Sequence, residues 1–167
     1  TKLNGRLDWT YQEEIFGRGN FKGYWLDPLG QWLAMLKIDT DQVPEYSLGS
    51  SSDQRGLGLV SRYPKAGDPI PQASLLLWDL RKIATGRVPK PSLLTQSSED
   101  KELLVTGVWW NPNDHSLIYS ISDRIQSWRE IHRIHPQVGS RDKAFHAMVL
   151  REESEAWVEP PNKPKFL

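Results

Sequence analysis

Short apolar runs and alternating apolar and polar runs recur along the chain, and helical periodicity is weak nearly everywhere. Short runs of this kind, bounded by turn residues, are typical of β-strands. Turn sequences such as Asp27-Pro28, Gly67-Asp68-Pro69 and Asn111-Pro112 separate them. The pattern predicts an all-β fold with strands at 32–38, 56–62, 73–80, 102–110, 116–122 and 144–150.

One stretch, residues 125–135, is ambiguous because isoleucine or tryptophan recurs at every third position. A spacing of three residues matches neither the helical period of about 3.6 nor the strand period of about 2. If the stretch is a strand, alternation places Trp128, His132 and Ile134 on one face. We favour a strand, because its neighbours are strands and consecutive elements tend to pair locally.

An internal repeat indicates how the strands are organised. The segment "GYWLDPLGQWLAML" (23–36) aligns with "GVWWNPNDHSLIYS" (107–120) at a constant offset of 84 positions. Each copy reads as a strand, a tight turn and a second strand. The matched positions are Gly23 with Gly107, Trp25 with Trp109, Asp27 with Asn111, Pro28 with Pro112, and Leu33 with Leu117.

Repeats of roughly 40–50 residues with four strands each are typical of propeller blades. An offset of 84 positions then means two blades, or one blade with a long insertion. The stretch 82–101, rich in proline, serine and charge, favours the insertion, and we interpret it as an exposed connector. Because a propeller closes with at least about four blades, we expect an arc of a larger ring. It would comprise about two four-stranded antiparallel blades, plus flanking strands from a preceding blade (1–9) and a following one (157–167).

Composition narrows the function classes. The 21 basic and 21 acidic residues balance, so the basic excess usual in nucleic-acid binders is missing. No apolar stretch approaches the length that spans a bilayer. The absence of cysteine excludes a disulfide scaffold and any thiolate metal site. The chain begins at Thr1, which is typical of a piece of a longer protein.

Motifs for catalysis and cofactors are missing from the sequence. There is no Gly-x-Ser-x-Gly motif for a nucleophilic serine and no glycine-rich phosphate loop before a helix. His132 and His135 form an H-x-x-H motif, but on a strand they would face opposite sides. We therefore predict no catalytic residues, no metal and no cofactor in this chain.

A carboxylate doublet, Glu13-Glu14, lies among aromatic residues in "DWTYQEEIFGRGN" (8–20). Thr10 and Glu13 have capping-box spacing, Asp8 is a second possible cap, and Gly17 is a natural stop. A short helix near residues 10–16 is predicted. By themselves the residues favour ordinary solvated carboxylates at a helix start, and a second doublet, at 152–153, has no such setting. The functional alternative is a pair that binds a cation such as a peptide's α-ammonium.

Three segments resemble the N-terminal propeller of the dipeptidyl peptidase IV family, serine exopeptidases of the prolyl oligopeptidase superfamily. They are "NGRLDWTYQEEIF" (4–16), "GYWLDPLGQWLAMLKIDTDQVPEY" (23–46) and "RYPKAGDPIP" (62–71). The resemblance implies that 1–167 is a fragment of an eight-bladed propeller that caps an α/β-hydrolase domain. It also implies export, to the periplasm or cell envelope of a bacterium.

The resemblance changes the interpretation of the doublet. Glu13 and Glu14 match the family's paired glutamates, which bind the substrate's free N-terminus. The family often has Val and Glu where Thr10 and Gln12 stand here, and this leaves room for a changed preference. The catalytic Ser, Asp and His belong to the hydrolase domain, which no part of the chain matches, so the chain alone is expected to be inactive.

The resemblance also implies a homodimer of the whole enzyme, with residues 45–62 as an arm that extends from its blade toward the partner subunit. Two alternatives to a dipeptidyl peptidase that releases Xaa-Pro or Xaa-Ala dipeptides stay open. One is a non-catalytic propeller that acts as a binding scaffold. The other is a related peptidase of the superfamily, which would not need an ammonium clamp.

Overall fold

The computed structural model describes residues 1–48, 59–98, 101–136, 145–159 and 161–166. Strands dominate these residues. In chain order the strands are β1 (Lys2–Asn4), β2 (Tyr24–Leu26), β3 (Trp32–Asp39), β4 (Glu45–Leu48), β5 (Leu59–Arg62), β6 (Gln72–Asp79), β7 (Ser92–Gln96), β8 (Leu103–Trp110), β9 (Leu117–Asp123), β10 (Trp128–His135) and β11 (Phe145–Glu153).

The strands form two antiparallel sheets and a separate hairpin. In the first sheet the order is β1-β3-β6-β7, with β2 also paired to β3. The second sheet runs β8-β9-β10-β11, and β4 pairs with β5 outside both sheets. This arrangement confirms the predicted all-β fold, a partial propeller of about two antiparallel blades.

The core lies between the two sheets because alternate side chains of the central strands are apolar. On β3 and β6, Leu36 is registered with Leu75 and Ile38 with Ala73, and all four are buried. Burial of this kind contributes about 25 cal/mol for each Å² of apolar surface. The second sheet adds residues of β8, β9 and β10 to the same core: Val105, Val108, Leu117, Tyr119, Ile121 and Ile134.

The ambiguous stretch 125–135 contains strand β10, so the prediction of a strand is confirmed. Ile134 is 1% exposed, and Trp128 packs against the same core from a partly buried position. His132 stacks on Tyr119 with ring centroids 5.0 Å apart. These three residues therefore mark the inward face that alternation predicts.

The internal repeat corresponds to one blade plus an insertion. In the first blade the Asp27 amide donates to the Trp32 carbonyl at 2.9 Å, and in the second the Asn111 amide donates to Ser116, also at 2.9 Å. The two hydrogen bonds are related by the same offset as the sequence repeat. The insertion includes the β4–β5 hairpin.

Two expectations about the flanks and the connector are wrong. Residues 1–9 do not belong to a preceding blade, because β1 pairs with β3 of the first blade. The stretch 82–101 is not only a connector, because it contains β7, which pairs with β6 and completes that blade. In both cases the strand is too short or too polar to show a period. No strand lies in the described part of 157–167.

Helical structure in the described ranges comprises the π-helix Tyr11–Ile15, with residues 9–10 also helical before it, and a 3₁₀ helix at Leu80–Thr85. The first confirms the predicted short helix near residues 10–16. The second follows Asp79, whose side chain accepts a hydrogen bond from the Arg81 amide at 3.2 Å. Neither segment is long and apolar enough to cross a membrane.

Asp27 gives a stability test within the repeat. Its buried carboxylate accepts hydrogen bonds from the amides of Gln31 and Trp32, the latter at 2.8 Å, and from Leu29 at 3.2 Å. Asp27→Ala leaves these donors without the acceptor and should lower the free energy of unfolding by about 2–4 kcal/mol. Asp27→Asn, which copies Asn111 of the second blade, should cost less. Urea unfolding followed by tryptophan fluorescence measures both, and equal losses would contradict this explanation.

Candidate functional site

The carboxylate doublet lies on an excursion from one edge of the first blade. Strands β1 and β2 both pair with β3, at opposite ends of it, so they act as two halves of one interrupted edge strand. The interruption is residues 5–23. Its base is closed by backbone hydrogen bonds from Gly5 to Leu36 at 2.9 Å and from Gly23 to Gly5 at 3.0 Å.

Glycine is favoured at both positions of this base, by the backbone conformation at Gly5 and by the lack of space at Gly23. Gly5 has a φ of +66°, a conformation that other residues adopt at a cost. A Cβ on Gly23 would lie 3.2 Å from the Gly5 carbonyl carbon and 3.1 Å from Leu7. The chain can therefore leave the sheet and return to it within a single strand position.

The helix on this excursion is capped by Asp8 and not by Thr10. The Asp8 carboxylate accepts hydrogen bonds from the amides of Thr10, at 3.1 Å, and Tyr11, at 3.3 Å. Thr10 already has helical dihedrals, whereas a capping residue needs an extended backbone. The predicted capping box is therefore wrong. Burial raises the pKa of Asp8, although these two amides act in the opposite direction.

The helix is a short π-helix of five residues. The Phe16 amide donates to the Tyr11 carbonyl at 2.8 Å, five residues back, which is the π-helical pattern often found at functional sites. Gly17 follows with a φ of +89° and ends the helix, as its position predicts. Phe16 packs against Trp25 of β2 with ring centroids 5.5 Å apart, which ties the end of the helix to the edge strand.

Tyr11 anchors the helix to the second blade. Its side chain is fully buried, and its hydroxyl accepts a hydrogen bond from the Val105 amide of β8 at 3.3 Å. The pairing of β8 with β9 shifts between Val105 and Gly107, so a bulge at Thr106 lies beside this contact. Burial raises the pKa of Tyr11, so the hydroxyl stays neutral. The position of the helix thus depends on both blades.

The two glutamates have different surroundings. The Glu13 side chain is 21% exposed, and its Oε2 accepts a hydrogen bond from Arg18 Nε at 2.9 Å. Glu14 is exposed and forms no ion pair with any residue in the described ranges. The helix therefore presents two consecutive carboxylates, of which Glu13 is paired with Arg18.

A cavity of about 530 Å³ lies next to the end of the helix. It is lined by Phe16, by Trp25, Trp109 and Trp110 of the two edge strands, and by residues near the end of the chain. Neither glutamate lines it. This cavity is therefore separate from the carboxylate doublet.

An aromatic cluster connects the start of the helix to the β4–β5 hairpin. Trp9 meets Tyr63 edge to face at 4.7 Å, and Tyr63 lies 6.3 Å from Tyr46 of β4. The Lys65 ammonium lies 4.5 Å from the centre of the Tyr46 ring. The three aromatic residues and Lys65, together called the aromatic cluster, connect the start of the helix to the hairpin.

Other polar clusters offer no catalytic arrangement. His132 lies 3.1 Å from His146 and 2.9 Å from Glu130, on the second blade. His135 alternates to the other face of β10. In the described part of the chain, no three His, Asp or Glu side chains are arranged to hold a metal ion.

Sequence reasoning missed the partners that fix the doublet. The sequence alone predicts Asp8 only as a second possible cap, and it gives no sign that Tyr11 anchors the helix. The contact to Val105 spans 94 residues, and no local pattern predicts it. Arg18, between two glycines, carries a signal that could have been used: a basic residue five positions after Glu13.

Comparison with known proteins agrees with this fold. All 167 residues match the family model described as the dipeptidyl peptidase IV N-terminal region. Dipeptidyl aminopeptidase B of Saccharomyces cerevisiae is 34% identical over 120 residues, which is 70% of this chain and 14% of that protein. Dipeptidyl peptidase 4 of Arthroderma otae is 26% identical over 165 residues, 94% of this chain and 20% of that protein.

Among solved structures, dipeptidyl peptidase 4 of Porphyromonas gingivalis superposes with a TM-score of 0.72 at 23% identity, over 93% of this chain and 20% of that one. Its identity is low enough that this match supports the fold alone. The class of the protein is therefore a partial β-propeller. The chain belongs to the dipeptidyl peptidase IV N-terminal region family, and it spans a fifth or less of the length of these relatives.

Tyr11→Phe tests the anchor of the helix. The variant keeps the ring but leaves the buried Val105 amide without its acceptor, which should lower the free energy of unfolding by about 1–3 kcal/mol. Hydrogen exchange at the Val105 amide should also accelerate. Tyr24→Phe is the matched control, because Tyr24 is 45% exposed on β2, and it should change stability by less than about 0.5 kcal/mol. An unchanged Val105 exchange rate would refute the anchor.

Proposed function

We propose that this chain is the part of a dipeptidyl peptidase propeller that recognises the substrate's free N-terminus. The whole enzyme would be a serine exopeptidase that releases N-terminal Xaa-Pro or Xaa-Ala dipeptides. One observation carries the proposal: the Glu13-Glu14 pair lies on a helix that leaves the edge strand of a blade, in a chain that matches the family model throughout. The names of the relatives agree with this class of enzyme.

The chemistry of the pair suits an ammonium group. Two adjacent carboxylates repel each other, and a cation bound between them relieves that repulsion. A peptide's α-ammonium offers three N–H donors, enough for charge-assisted hydrogen bonds to both side chains. A blocked N-terminus has neither the charge nor these donors. The doublet would therefore select peptides with a free amine.

The position of the helix supports a measuring role. The Asp8 cap, the Tyr11 anchor and the Phe16 contact fix the helix on both blades. A rigid clamp at one end of the substrate would hold the scissile bond at a constant distance from the nucleophile. We infer that this nucleophile, with its Asp and His partners, lies in a hydrolase domain outside this chain, so the chain alone would not cleave peptides.

Substitution of the glutamates tests the clamp. In the full-length enzyme, Glu13→Ala and Glu14→Ala should each remove a charge-assisted contact worth roughly 1.5–3 kcal/mol. That corresponds to about one to two orders of magnitude in kcat/KM on a free Xaa-Pro chromogenic dipeptide. The same substrate with a blocked amine should be poor for the parent enzyme and little changed by either substitution.

The second doublet supplies the matched control. Glu152 pairs with Arg129 and Glu153 with Arg151, on the outer strand β11. Glu152→Gln and Glu153→Gln should change kcat/KM little. Parental kcat/KM in both Glu13→Ala and Glu14→Ala would mean that the first doublet is solvated helix surface.

We also propose that residues 45–62 contribute to a homodimer of the whole enzyme. Among the described residues, strands β4 and β5 pair only with each other and join neither of the two larger sheets, as an arm would. Residues 49–58, between these two strands, lie outside the described residues. The base of the arm is held by Arg62, whose guanidinium donates to the carbonyls of Thr40 and Val43, both at 2.9 Å.

Shortening of the arm tests the dimer. Deletion of residues 48–56 from the full-length protein should lower its mass in solution from dimer to monomer, because the arm would no longer reach the partner. Sedimentation or light scattering measures the mass. Arg62→Ala, which loosens the base of the arm without removing it, should weaken the dimer by a smaller amount. A dimer that keeps its mass after the deletion would exclude this interface.

A further inference from the structure

Arg18 already occupies one of the two proposed ammonium ligands. Its Nε lies 2.9 Å from Glu13 Oε2, a contact of the kind that a substrate ammonium would make. Arg18 belongs to the same excursion as the doublet, five residues beyond Glu13. Glu13 therefore has a cationic partner within the chain before any substrate arrives.

The contact between Arg18 and Glu13 is weak. The Arg18 side chain is 89% exposed, and the contact to Glu13 is through Nε and not the two-pronged geometry of tight guanidinium pairs. The glycines on either side have φ values of +89° and +81°, and the space where a Cβ would lie is empty for 4 Å at both. Exposed ion pairs of this type contribute little to stability. Apart from Glu13, no residue in the described ranges forms an ion pair with the Arg18 guanidinium.

We propose that Arg18 is an intramolecular competitor of the substrate's α-ammonium. It neutralises Glu13 in the substrate-free enzyme and withdraws into solvent when a peptide N-terminus binds. This inference rests on the proposed function of the doublet and adds a regulatory residue to it. Like charges so close together repel, so the ammonium and the guanidinium cannot both bind Glu13 without cost.

The size of the effect follows from the strength of such pairs. An ion pair as exposed as this one is weak, and it leaves Glu13 free for roughly 15–40% of the time. A ligand that needs the free state then binds about two- to sixfold more weakly than it would without the competitor. The competitor changes the occupancy of the site and not the reacting groups, so it should act on KM and leave kcat unchanged.

Removing the Arg18 guanidinium from the full-length enzyme tests whether Arg18 competes with the substrate. Arg18→Ala should lower KM for a free Xaa-Pro chromogenic dipeptide about two- to sixfold, with kcat unchanged. Arg18→Lys should keep KM near the parental value, because it restores the cation. The difference between Arg18→Ala and the parent should shrink in 1 M salt, where the Debye length is about 3 Å.

Two controls isolate the contact. Arg87→Ala makes the same change in net charge at an exposed position beyond the 3₁₀ helix, and it should leave KM unchanged. In a Glu13→Gln background, Arg18→Ala should have no further effect, since the partner is gone. Calorimetric binding of the dipeptide Ala-Pro repeats the comparison without turnover.

The outcomes separate the two proposals. A KM that is unchanged in Arg18→Ala excludes the competitor, and a raised KM shows instead that Arg18 positions Glu13. Either result leaves the clamp standing if Glu13→Gln and Glu14→Gln lower kcat/KM. If both of these keep the parental kcat/KM, the clamp fails, and the role of Arg18 fails with it.

Discussion

The pairing of β3 with two separate half-strands is the constraint on which the rest of the structure depends. Strand β3 has one full-length partner, β6, along one of its two edges. On its other side β1 and β2 together supply the ladder, and the gap between them lets the chain leave the sheet without ending it. A helix inserted in a central strand such as β3 or β6 would break hydrogen bonds on both sides. At an edge it breaks them on one, which explains why the doublet can be carried there.

The second constraint is that the helix needs both blades. A helix of Tyr11–Ile15 is far too short to be stable by its own hydrogen bonds. Its stability must come from the buried Tyr11 ring and from the Val105 amide, which belongs to the next repeat. Next to this contact, the pairing of β8 with β9 is shifted by a bulge between Val105 and Gly107. The position of the doublet is therefore a property of two packed blades and not of the local segment.

The sequence predicted those features that a periodic pattern expresses. Strands such as β3 and β6 alternate, and the Asp27 and Asn111 turns recur at one offset, so the fold class and the short helix were predictable. Strand β1 was not assigned to its blade, because three residues show no period. The cap at Asp8 was ranked below Thr10, because spacing alone does not reveal which backbone is already helical. The Arg18 contact depends on a loop conformation that its two glycines leave open.

The two glutamate doublets of this chain show how secondary structure decides what adjacent charges can do. On β11, neighbours point to opposite faces, so Glu152 and Glu153 each meet a different arginine and are neutralised separately. On the helix, Glu13 and Glu14 are consecutive residues of a single turn and do not each have an arginine partner in the described residues. Arg18 balances only one of them. The helix therefore keeps a net negative charge at its surface, and this uncompensated charge is what a positively charged N-terminus would neutralise.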